Sequence, residues 1–272
     1  MIELVDIARR EEARQVRGLR EIADDHREFG GGIAGRGKPG IWINNAVGMA
    51  LDGPVPRAEL ESVLAWYESA GVEPRFEVAP FVDLAFIDDC AALGMVVRAF
   101  ENTFVRALDR EESIRPLVDP PPELAVAIVD ARDAHAVRTY SIVATSGFFP
   151  PGVSPREEDL AVSARAVRHP RTVAFTASLG GRVVGAGAME VAGDIAGLFG
   201  LSVLPEFRRR GIQQALLAAR LNEAARRGAT LATISARPGI ATERNVRRMG
   251  FQLAYTKVVL VRPGPGLAPV IG

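Results

Sequence analysis

The chain has 272 residues, nearly half of them hydrophobic, and its 33 basic residues balance 33 acidic ones. That length accommodates one large domain or two of about 110–150 residues each. Zero formal charge argues against a nucleic-acid protein, whose binding face needs a cationic excess. A single cysteine, Cys90, rules out an intrachain disulfide and fits a reducing compartment. The three histidines are scattered, and no Cys/His cluster has metal-ligand spacing, so no metal is expected. The opening MIELVDIARREEARQ is charged from its third residue and lacks the apolar centre of a signal peptide. No apolar run approaches the ~18 residues of a membrane span. The expectation is a soluble cytoplasmic protein without a membrane partner.

In the first half, RAELESVLAWYESAG (57–71) reads as a helix that packs through Trp66 and Tyr67, and RFEVAP (75–80) as a strand. FIDDCAALG gives Cys90 an apolar helical setting with neighbouring acids, which suits a buried structural thiol and not a reactive one. ALGMVVRAFENTFVR (92–106) closes the half with a glycine and a strand. Residues 108–122, LDREESIRPLVDPPP, hold four prolines and read as a linker, dividing the chain into 1–107 and 123–272.

In the second half, a strand at 123–130 precedes helices at 133–148 and 156–169, the latter ending at His169. Segments 171–181 and 182–191 form a hairpin turned at Gly180-Gly181. A strand at 195–204 ends before Pro205. Apolar residues at Ile212, Ala215, Leu216, Ala219 and Leu221 mark a helix over 211–227, stopped by Gly228. A strand at 229–237, a short helix in TERNVRRMG and a last strand, FQLAYTKVVLVR, complete the series. The whole implies a mixed α/β sheet. The two halves also repeat: 92–106 aligns without a gap on 248–262, Gly94 falling on Gly250 at an offset of 156 residues. In the first copy DGPVPRA stands where the second has RRRGIQQ.

That second-copy segment, LSVLPEFRRRGIQQALL, carries the chemistry. The first turn of a helix has unpaired N–H groups and partial positive charge. Gly211 lets a ligand approach the backbone, and Arg208, Arg209 and Arg210 add forked donors suited to phosphate. The result is a site for a pyrophosphate. It has neither the lysine and Ser/Thr of a P-loop nor the G-x-G-x-x-G of a dinucleotide fold, so neither ATP nor NAD is indicated.

The segment resembles the acetyl-CoA motif of the GNAT superfamily of N-acetyltransferases. The motif is a strand with L-x-V, then a proline, then [RQ]-x-x-G-x-[GA] opening a helix. Here these are Leu201-Ser202-Val203, Pro205, and Arg208 to Gln213, with Gln213 departing from the usual glycine or alanine. ATERNVRRMGF resembles the family's closing helix and G-F strand start, and its asparagine falls on Asn245. The resemblance covers about residues 123–263, and the first half is similar to a degenerate partner of the tandem kind.

The resemblance implies two GNAT-like halves, the C-terminal one complete, and acetyl-CoA as co-substrate. Leu201, Ser202, Val203, Arg208, Arg209, Arg210, Gly211, Ile212, Gln213, Gln214 and Asn245 would form its cradle. The implied activity is transfer of an acetyl group to an amine of a small molecule or peptide. The tyrosine that many members use as acid for the thiolate falls on Val246, so Tyr255 is the substitute candidate. Glu190, with Asp194 following, is the candidate base. The acceptor pocket would be built around 139–149 and by the first half, with GFFPPGVSP as a loop. Two other classes stay open: a non-catalytic acyl-CoA sensor, and a scaffold whose charged turn binds an acidic partner.

Overall fold

The computed structural model describes residues 3–149 and 152–270. Pro150 and Pro151, within the expected loop GFFPPGVSP, lie outside the described residues. The chain forms two compact units. The first comprises Met1–Thr103 with Leu253–Gly272, and the second Phe104–Gln252.

The first unit contains α1 (Leu4–Ile22), β1 (Asp25–Phe29), β2 (Gly32–Arg36), β3 (Asn45–Val47), α2 (Arg57–Glu68), β4 (Arg75–Val78), α3 (Leu84–Ala92) and most of β5 (Val96–Ala107). The second contains the end of β5, then β6 (Ala125–Ile128), α4 (Ala134–Ser146), α5 (Glu157–Arg168), β7 (Thr172–Leu179), β8 (Arg182–Ala192) and β9 (Ile195–Val203). It continues through α6 (Ile212–Arg226), β10 (Leu231–Ala236) and α7 (Ala241–Arg248). The last strand, β11 (Gln252–Val261), returns to the first unit from Leu253 onward.

The first unit's strands run in the order β1-β2-β3-β4-β11-β5. Strand β3 is parallel to β4, and β11 is antiparallel to β4 with Val258 opposite Val78. Under them lie Phe29, Leu60, Leu64, Trp66, Tyr67, Phe76, Phe86 and Cys90. Burial, with Asp89 adding repulsion, pushes the Cys90 thiol up to about 12, so it stays protonated and inert as its apolar setting suggested. The expected division at 108–122 therefore requires a correction, because the strand expected to complete the second half pairs with β4 of the first. Both copies end in a helix, a glycine and a strand, so nothing local states which partner the last strand takes. The proline-rich stretch has no helix or strand, yet it is not a free linker. Ile114 exchanges hydrogen bonds with the Asn222 side chain on α6 (2.9 and 2.8 Å), and its own side chain is buried.

The duplication extends through the secondary structure. A shift of 156 residues carries α2, β4, α3 and β5 onto α6, β10, α7 and β11, and carries β3 onto the last three residues of β9. It also carries Val55 onto Gly211. Val55 is buried in the first unit's core, and Pro56 stands at the N-cap of α2. The first copy thus puts a buried apolar side chain where the second has the glycine of its cationic turn.

In the second unit β6, β7, β8 and β9 form an antiparallel meander, and β10 lies parallel to β9 across the α6 crossover. Gly180 and Gly181 (φ +55° and +79°) make the two-residue turn between β7 and β8, because both central positions need left-handed backbone. Helices α6 and α7 cover one face, with Leu216, Leu217, Leu221 and Val246 packed on Val173, Phe175 and Leu198. Helices α4 and α5 cover the other, where Val137, Tyr140 and Val143 meet Ala174, Ala186 and Ala188. Among the described residues no helix is long and apolar enough to cross a membrane.

Within the first unit, Lys257 of β11 and Glu12 of α1 form a buried pair, with Nζ 2.6 Å from Oε1. Lys257 also donates to Gln15 (3.0 Å), and Glu77 lies 3.9 Å away. Removing one partner strands the other charge out of water. Lys257→Met is expected to lower unfolding free energy by about 3–5 kcal/mol, as read by urea denaturation. A loss below about 1 kcal/mol would show that the pair is dispensable.

Candidate active site

The second unit's site begins where β9 and β10 stop pairing. Their ladder runs from Ile195 opposite Leu231 to Leu198 opposite Ile234. Strand β9 continues to Val203, and no pairing to β10 is found past Leu198 among the described residues. The cause is visible on the other side of β9. Ala188 pairs with Phe199 but Ala186 pairs with Ser202, so β9 carries a bulge between them. Gly200 sits in it at φ +62°, a left-handed conformation that glycine adopts without a Cβ penalty. The extra residue shifts the side-chain alternation. Ala196 and Leu198 face α6 before the bulge, and Leu201 and Val203 face it afterwards. The bulge therefore places Leu201-Ser202-Val203, the L-x-V strand end, on a stretch of backbone that β10 does not pair.

Beyond Val203 the chain makes a short 3₁₀ turn, Pro205–Phe207, and reaches the arginines. Arg208 donates from Nε to the Val203 carbonyl (3.1 Å), tying the turn to the strand end. Arg210 lies over the Phe207 ring at 5.5 Å. Arg209 has φ +63°, an uncommon conformation for a residue with a side chain, and all three arginines are exposed. Gly211 is the N-cap of α6 at φ +72°. The first intrahelical bond runs from the Ala215 N–H to the Gly211 carbonyl (3.0 Å), which leaves Ile212, Gln213 and Gln214 without helical acceptors. Free N–H groups, a helix dipole and exposed guanidinium groups converge here, which is the chemistry a diphosphate requires.

One flank of the turn is covered. The Gln214 side chain accepts from the N–H groups of Leu117 and Val118 (3.0 and 3.1 Å). A Cβ at Gly211 would lie 3.0 Å from the Val118 carbonyl oxygen. Glycine is thus required twice, by its φ and by the segment laid against it, while the arginine side stays open. Gln213, the departure from the family motif, turns toward α7. It donates to Thr242 (3.3 Å) and accepts from Asn245, whose Oδ1 also receives a bond from Gln214 (3.4 Å). Asn245 is therefore brought to the first turn of α6, with both ends of its amide engaged there. Val246 is wholly buried in the core, so no acid stands at the family's position.

The two proposed proton carriers are placed elsewhere. Glu190 lies on β8 opposite Gly197, near the start of β9, and Asp194 lies in the turn between those strands. About 20 Å of strand separates Gly197 from Val203, at ~3.3 Å per residue. Glu190 is buried and accepts from Arg171 Nε and Nη2, both at 3.0 Å. It is half of an ion pair at the far end of the strand and is not placed as a base for this site. Tyr255 belongs to the first unit. Its hydroxyl is 3.3 Å from Glu12, and burial together with that carboxylate raises its pKa far above the ordinary tyrosine value. A phenol so placed holds its proton within the first unit's core.

The bulge does have polar side chains, none of them singled out by the sequence reading. Tyr140 of α4 is buried, with its hydroxyl 3.1 Å from the position of a Cβ on Gly200. Burial keeps that hydroxyl protonated, although the charge of Arg220 pulls the other way. Arg220 of α6 is wholly buried and donates to one carbonyl on each strand at the edge of the bulge, and burial draws its pKa down to about 10. A signal existed, for Ile212, Leu216 and Arg220 repeat at four-residue spacing along the apolar face of the helix. Gly211→Ala should cost about 1–2 kcal/mol in urea denaturation, from left-handed strain and the Val118 contact. An unchanged midpoint would show that the turn relaxes freely.

Residues 137–251 match the model of the acetyltransferase (GNAT) family. No curated protein matches the chain. Among solved structures, a GCN5-related N-acetyltransferase from Kribbella flavida is similar over 96% of this chain and 97% of its own, at 19% identity and a TM-score of 0.72. A tandem GNAT protein from the clavulanic acid biosynthesis pathway is similar over 86% of this chain and 80% of its own, at 15% identity and a TM-score of 0.60. A GCN5-related N-acetyltransferase from Sphaerobacter thermophilus covers 81% and 73%, at 16% identity and a TM-score of 0.56. The family match lies within the second unit, and the shared fold extends over most of the chain. The resemblance to the GNAT superfamily of N-acetyltransferases, read first from the turn at Gly211, is thus carried by the second unit's sequence and by the fold.

Proposed function

We propose that the second unit binds acetyl-CoA and transfers its acetyl group directly to an amine of a small molecule or peptide. The observation that carries this reading is the junction of an open first helical turn at Gly211 with the unpaired strand end at Leu201–Val203. The helix start suits the diphosphate, and the strand end offers N–H and C=O groups to the amide-bearing pantetheine arm. Ile212, Gln213 and Gln214 contribute backbone N–H groups, and Arg208, Arg209 and Arg210 the flanking charge. Asn245 would engage the arm by exchanging its bonds to Gln213 and Gln214.

A thioester brings an acyl carbon already activated toward amines, so the protein's part is placement and stabilisation of developing charge. Backbone N–H groups around the bulge are suited to the carbonyl oxygen. Tyr140, which keeps its proton, is a side-chain donor beside them. With Val246 in the acid's place and Glu190 locked to Arg171, the amine's surplus proton leaves through water, and the thiolate is protonated from solvent. The same two features favour a second reading, a sensor that binds acyl-CoA without turning it over. Thiol release with a panel of amines separates the two, since a sensor shows none above hydrolysis.

Calorimetric titration of the parent protein with acetyl-CoA tests the site. Joint replacement of Arg209 and Arg210 by alanine is expected to weaken binding about tenfold. No binding by the parent ends the reading of the turn, and undiminished binding by the variant removes the arginines from it.

A further inference from the structure

Arg220 is an unusual residue to find beneath a strand. It is wholly buried, and among the described residues no carboxylate pairs with it. Its Nε donates to the Leu216 carbonyl within α6 (3.1 Å). Its Nη1 donates to Ala188 of β8 (3.1 Å) and to Phe199 of β9 (3.4 Å), and its Nη2 has no partner. Ala188 and Phe199 face each other at the edge of the bulge. Space for the guanidinium comes from Gly187, where a Cβ would lie 3.2 Å from Arg220 Cζ. Packing alone does not explain this arrangement, because an apolar side chain of similar volume fills such a place without the penalty of an unneutralised ion.

The contact with Phe199 gives the charge a use. Its carbonyl and the Gly200 N–H belong to one peptide unit, and among the described residues no peptide bond is cis. A trans peptide directs its N–H opposite its C=O, so the Gly200 N–H points away from Arg220. A cation hydrogen-bonded to one end of a peptide polarises it and strengthens donation from the other end. We propose that Arg220 is a positioning residue that fixes the β9 bulge and charges the Phe199–Gly200 peptide, making its N–H a strengthened donor to the thioester carbonyl. The inference rests on the acetyl-CoA reading of this cleft. In the transfer, the amine lone pair forms the C–N bond while the carbonyl π pair moves onto oxygen. On collapse the C–S bond breaks, CoA leaves as thiolate, and the amine's surplus proton passes to solvent. The oxygen carries most negative charge between these steps, where a strengthened N–H stabilises it most.

The test uses the full chain and acetyl-CoA labelled with ¹³C at the carbonyl. Difference infrared spectroscopy of the bound complex should show the carbonyl band of the parent shifted to lower wavenumber than in free acetyl-CoA. In Arg220→Met most of that shift should be lost, with kcat lowered about ten- to a hundredfold and KM for acetyl-CoA within about twofold. Removal of a buried charge offsets part of the cost of the three lost hydrogen bonds, so the variant should stay folded, as read by circular dichroism. A retained band shift with unchanged kcat overturns the proposal. If Arg220→Met does not fold, Arg220→Lys, which keeps the charge but not the fork, should give an intermediate band shift. Failure of both to fold assigns Arg220 a structural role alone and overturns the proposal. A parent that binds no acetyl-CoA overturns the reading of the cleft itself, a result seen before any variant is made.

Discussion

Backbone groups that lose their sheet partners must find others, and in the second unit that requirement starts at one bulge. Up to Leu198, β9 is an ordinary inner strand, bonded to β8 on one side and to β10 on the other. At Gly200 an extra residue enters, the side chains change faces, and the bonds to β10 end. Everything assigned to the site lies at or beyond this point. The freed strand end runs into the short turn at Pro205, the turn delivers the arginines, and Gly211 opens α6 with its first N–H groups unpaired. The bulge and the helix start are thus two unfilled sets of hydrogen-bonding groups on one continuous piece of chain, complementary to a ligand rich in amides and phosphates.

The protein closes part of this deficit itself. Arg220 supplies donors to Ala188 and Phe199 where the ladder is broken, and Gln214 receives the N–H groups of Leu117 and Val118 beside the helix start. Asn245 donates to Gln213 and accepts from Gln214 across α7 and α6. What stays open is therefore selective, limited to one strand end and one side of one helical turn. The first copy shows the alternative outcome of the same duplication. There Val55 takes the place of Gly211 with its side chain in the core, and the residues flanking it, Pro56 included, stay exposed.

Features that depend on neighbouring residues were legible in the sequence. The turn at Gly180-Gly181 and the extent of α6 follow from glycine positions and apolar spacing, and the cationic turn follows from Arg208 to Gly211. Features fixed by partners distant in the chain were not. Glu190 looked available until strand register set it beside Arg171, and Tyr255 looked like an acid until β11 was found against Glu12. The bulge at Gly200 was hidden because a glycine in an apolar strand has many meanings, and only the shift between Ala186 and Ala188 selects one. Arg220 was the missed signal that sequence alone could have raised, a charge in line with Ile212 and Leu216.

The return of β11 to the first unit also has a bearing on how the chain is made. Residues 104–252 are contiguous, so the second unit has all its parts once they have left the ribosome. The first unit, although synthesised earlier, lacks the strand between β4 and β5 until residues 253–261 emerge. Its ordering in time is therefore reversed relative to translation: the half made first is completed last, and until then β4 exposes an unsatisfied edge open to intermolecular pairing.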